Sequence, residues 1–64
     1  MPRKIQVNIV VASHLSDAQH LIQIGKKEEA NKHINFAKYL IFDHFITDVT
    51  MTNEELDKIW DKIN

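Results

Sequence analysis

Val7, Val11, His14, Ala18 and Leu21 follow one another at intervals of four, three, four and three. That spacing lines one face of an α-helix. Leu15 and Ile22 widen the stripe, and Pro2 suits a first helical position, where its missing N–H costs nothing. The pattern predicts a helix over residues 3–24 that ends at Gly25. A second reading competes with it at the start. Ile5, Val7, Ile9 and Val11 alternate with Lys4, Gln6 and Asn8, and β-branched residues in alternation favour a strand. With no second strand candidate in the chain, a strand over residues 4–11 would need the same strand from another copy. Both readings stay open at this level.

Gly25-Lys26-Lys27-Glu28-Glu29-Ala30 reads as the corner of an antiparallel helical hairpin. Glycine takes the left-handed conformation that ends a helix, and the two glutamates sit at the positive N-terminal end of the next one. The second helix is expected over residues 27–46, with Ala30, Ile34, Ala37, Ile41 and His44 as its stripe and Glu28–Lys32 as a favourable i,i+4 pair. Residues 47–51 then break the pattern with side chains that compete for helical hydrogen bonds. Thr52-Asn53-Glu54-Glu55 has the form of a capping box, and Leu56, Ile59, Trp60 and Ile63 follow at helical spacing. A short third helix is expected there, lying as a lid on the hairpin.

The second helix carries more apolar surface than one neighbour can cover. Tyr39, Phe42 and Ile46 point away from its stripe, and Phe36 lies between the two sides. A helix that is apolar nearly all round is buried on more than one side. The first and third helices can cover part of it, and the rest would mark an interaction site. The expected surface is Phe36, Tyr39, Phe42 and Ile46, with Trp60 from the third helix, because aromatic side chains of this kind anchor interfaces. Sixty-four residues form one domain, residues 1–64, near the lower limit for folding without staples. Self-association into a two-fold homodimer, two hairpins making a helical bundle, is the simplest expectation. The fold class expected is all-α.

From Leu15 to Leu40 the chain resembles a single tetratricopeptide-type hairpin, through Ala18, Gly25, Glu28, Glu29, Ala30, Ile34 and Ala37. In that family the paired helices pack through small residues, and stacked repeats form a groove for partner peptides. The resemblance implies the hairpin geometry alone. No second copy of the period is visible, whereas such repeats need about three units for stability.

Composition narrows the classes of function. The absence of cysteine removes disulfides and thiolate metal sites and fits a reducing, cytoplasmic setting. No basic leader precedes an apolar core, and the longest apolar runs are far too short to span a bilayer. Eight basic and nine acidic residues give a formal charge of −1, which argues against nucleic acid as a partner. The expectation is a small, non-catalytic protein–protein interaction or regulatory protein that acts through an apolar helical face. The competing class is a small accessory protein, phage-borne in an AT-rich genome, that binds nucleic acid through Lys26 and Lys27.

The candidate chemistry is sparse. Ser13, Ser16, Asp17, His14 and His20 fall on one short helical stretch, whereas a triad converges from different elements around a pocket. A chain of this size is also expected to lack a cavity of a few hundred Å3. No catalytic residues and no cofactor are expected. Four histidines invite a metal, with His20 roughly opposite His33 across the corner, but no HExxH or ExxH pair is present. The reading is therefore no metal site, with the histidines satisfied by neighbours or solvated. His14 and His44 hold seam positions, so an assembly sealed there should weaken as pH falls.

Overall fold

The computed structural model describes residues 3–44 and 49–64. Helices take up 78 % of it, and a two-stranded ladder completes the fold. Strand β1 (Lys4–Gln6) leads directly into helix α1 (Val7–Gln23), and helix α2 (Lys27–Lys38) runs back along it. A π-helical turn (Tyr39–Asp43) extends α2, after which strand β2 (Thr50–Thr52) leads into helix α3 (Asn53–Ile63).

The start of the chain corrects both sequence readings. Residues 4–6 are extended, yet the helix begins at Val7, where the wide apolar face can meet a partner helix. The strand pairs antiparallel within the chain, with Ile5 opposite Met51 and Lys4 opposite Thr52. Its partner lies in the segment read as a simple break. The Val7 N–H, one of the donors that a helix start leaves orphaned, donates to the Val49 carbonyl at 3.0 Å.

The corner forms as its residues dictate. Gly25 has φ +82°, the Lys26 N–H donates to the Leu21 carbonyl at 2.8 Å, and the Gly25 N–H to the Ile22 carbonyl at 3.1 Å. These are the paired 6→1 and 5→2 bonds of a Schellman ending, which satisfies carbonyls the helix would otherwise leave bare. Glu28 and Glu29 occupy the first turn of α2.

The regular part of α2 is shorter than the expected 27–46. Its α-helical bonding ends at Lys38, the π turn carries it to Asp43, and His44 sits at a bend. The buried face is also rotated from the expected stripe. Phe36, Ala37 and Leu40 are buried beside Ala30, while Ile34 and Ile41 are half-buried and His44 is exposed. The rotation follows from two neighbours: α1 packs on one side of α2, and α3 brings Leu56 and Trp60 to the other. The core consists of Val7, Val11, Phe36, Ala37, Leu40 and Leu56, edged by Tyr39, Met51, Ile59, Trp60 and Ile63.

Helix α3 starts as its capping box requires. The Glu55 N–H donates to Thr52 Oγ1 and the Thr52 N–H to Glu55 Oε1, both at 3.2 Å. At the other end, Asn64 Nδ2 donates to the Lys32 carbonyl at 3.3 Å and ties α3 to α2. Thr52→Ala removes the cap acceptor and is expected to cost about 1 kcal/mol in urea unfolding. An unchanged midpoint would mean that α3 does not need its cap.

Candidate functional site

His14 is half-buried on the inner side of α1, and His33 faces it from α2. Their Nδ1 atoms lie 2.7 Å apart, so one Nδ1–H donates to the other ring's lone pair. The expected partner of His33 was His20. Six residues separate His14 from His20, which at 100° per residue carries His20 about 240° round the helix. His20 is exposed accordingly.

Three aromatic contacts hold the pair in place. The Phe36 ring meets His14 edge-on at 4.7 Å between centroids. The Trp60 indole lies 5.4 Å from His14 and 4.9 Å from His33, touching both imidazoles from α3. Asp17, one turn after His14 on α1, brings a carboxylate to the same place. One ligand-capable atom from each of His14, Asp17 and His33 lies within 4.8 Å of the other two.

A groove of about 480 Å3 opens beside this cluster between β1, α1, α2 and α3. Ser13, His14, His33, Asn53, Asp57 and Trp60 are among its lining residues. Chain length alone argued against such a space. It exists because α3 leans on the hairpin through Leu56 and Trp60 and leaves the upper side of α1 uncovered, where Ile9 is exposed.

No protein-family model, curated protein or solved structure matches this chain.

Partial burial lowers the His14 pKa below the usual 6.5, and a charge on His33 would lower it further, while the Asp17 carboxylate opposes both. The imidazole is thus held neutral near pH 7. A histidine whose folded pKa lies below its unfolded one contributes stability that is complete above the unfolded pKa. That contribution is lost as pH falls from 6.5 toward the folded value, because the unfolded chain then binds more protons. With chelator present, the urea midpoint is expected to drop between about pH 7.5 and pH 5.5. His14→Gln should flatten that dependence, and an equal drop in the variant would place its origin elsewhere. This seam lies within one chain, whereas the sequence reading set it between copies.

The five residues expected to form an interaction surface are distributed as follows. Phe36 is in the core at 1 % exposure, a position fixed by the approach of α3, and so is not a free surface residue. Tyr39 and Trp60 are half-buried against that core, and the Tyr39 ring lies against His44 at 4.0 Å between centroids, tilted by 41°. Phe42 is 66 % exposed. Ile46 lies outside the described residues. Sequence reasoning missed the exposed apolar residues of α1, Leu15 and Ile22, because it counted them as a widening of the core stripe. They lie seven residues apart, a spacing that places them on one side of the helix. At the hairpin corner Lys26 and Lys27 share their surface with Glu28 and Glu29, which offset the charge that a phosphate would seek. Among the described residues, no helix is long and apolar enough to cross a membrane.

Proposed function

We propose that the protein is a small non-catalytic interaction protein that self-associates through apolar helical surface. One observation carries this reading. Among the described residues, eight apolar residues are buried, three of them alanines, while six large apolar side chains remain substantially exposed: Ile9, Leu15, Ile22, Ile24, Phe42 and Val49. Fully burying a Leu, Ile or Phe contributes about 1.5–3 kcal/mol, so covering these half-exposed side chains contributes about 1 kcal/mol each, and several together add up. That is a large fraction of the stability available to a domain this small. A second copy supplies the same unfilled surface, and two-fold pairing is the commonest way to close such a contact.

Light scattering over about a hundredfold range of concentration, with chelator present, tests the reading. The expected mass is twice that of the 7.5 kDa chain. Phe42→Ser, or Leu15→Ser with Ile22→Ser, is expected to shift the mass toward one chain without loss of helicity. A wild-type mass of one chain throughout would overturn self-association.

A further inference from the structure

We propose that His14, Asp17 and His33 form a binding site for one divalent transition ion of the zinc class, held between α1 and α2 of a single chain. Nothing in this site depends on self-association, so it stands or falls separately.

The ligand set is chemically complete for such an ion. Zinc accepts imidazole nitrogen and carboxylate oxygen, and two histidines with one carboxylate leave a coordination position for water. His14 and Asp17 stand at i and i+3, so one helical face presents both. His33 comes from the antiparallel partner, and the three ligand-capable atoms already lie within 4.8 Å of one another.

The arrangement of the two imidazoles points to an ion between them. Both rings turn their Nδ1 atoms inward, to 2.7 Å. Two nitrogens bound to tetrahedral zinc at about 2.0–2.1 Å from the metal stand about 3.3 Å apart. The Nδ1 atoms therefore need to move apart by only about 0.6 Å, and each ring to turn by about 35° from its head-on position, for a metal to replace the shared proton. That proton moves to Nε2 of the ring that carried it, so each Nδ1 presents a lone pair and no net proton has to leave. Asp17 supplies the negative charge. Packing of Phe36 and Trp60 against the rings keeps both imidazoles at this place between the helices, the kind of support that holds metal ligands together.

The test uses the full chain, freed of metal with chelator and then titrated with Zn2+ by calorimetry and with Co2+ by visible absorption. One ion per chain is expected, with Co2+ bands of tetrahedral intensity. Trp60 is the only tryptophan and lies against both imidazoles, so Co2+ should quench its fluorescence in step with binding. Loss of an orienting partner alone weakens metal sites by about 10–100-fold, so removing a ligand should do at least as much. Asp17→Asn, at an exposed position that leaves the core intact, is therefore expected to weaken Zn2+ binding by about tenfold or more, and His33→Gln by about a hundredfold. His20→Gln, on the outer side of α1, should bind as the wild type does. The proposal is overturned if Zn2+ does not bind, if Asp17→Asn and His20→Gln behave alike, or if Co2+ binds without quenching Trp60.

Discussion

Phe36→Ala is expected to unfold the chain. The ring is 1 % exposed, and it contacts His14 at 4.7 Å and Trp60 at 5.4 Å between centroids, so one side chain joins α1, α2 and α3. Replacing a buried phenylalanine with alanine costs about 3–5 kcal/mol, part lost burial and part cavity. Small domains hold only about 5 kcal/mol or slightly more in total. Far-UV circular dichroism with urea titration reads the result directly. A variant that keeps a cooperative transition near the wild-type midpoint, while losing only association, would return Phe36 to the surface role its sequence position first suggested.

Trp60→Ala is expected to be the next most damaging change, at about 3 kcal/mol, the lower end of the range for a large aromatic because the indole is only half-buried. Its loss would uncover Phe36 and both histidines and leave α3 held chiefly by Leu56 and the β ladder. Circular dichroism is the appropriate probe, since the variant has no tryptophan. Trp60→Phe should recover much of the loss by preserving an aromatic face. A cost within about 0.5 kcal/mol, the usual range for a surface change, would show that α3 is not docked through this residue.

Much of the architecture was legible in short-range signals. Gly25 announced the corner because only a residue without Cβ takes φ +82° freely. Thr52 and Glu55 announced α3 because the capping box is a local exchange of two hydrogen bonds. The illegible parts depend on groups far apart in sequence. Ile5 became strand because Met51 lies opposite it, and a three-residue segment at Thr50–Thr52 carries too little pattern to reveal itself. The face of α2 turned toward Phe36 and Leu40 because α3 approaches from that side, which periodicity along α2 alone does not encode.

The histidine cluster shows the same division. His14 was correctly placed on the inner stripe of α1. Matching residues by their distance from Gly25 then selected His20 for His33, because distance along the axis ignores direction around it. His14 lies on the side that meets α2, and His20 does not.

The β1–β2 ladder joins segments near opposite ends of the chain, and each strand runs straight into a helix. Closing so long a loop from an extended chain is entropically expensive, whereas the α1–α2 corner closes through neighbouring residues. Once the hairpin forms, β1 has been carried back beside the segment that follows α2, and most of that closure is already complete. The topology therefore leads us to expect the hairpin first and the ladder late. Weakening the strands should then shorten the lifetime of the native state and leave its rate of formation nearly unchanged. In kinetic terms the ladder is a latch.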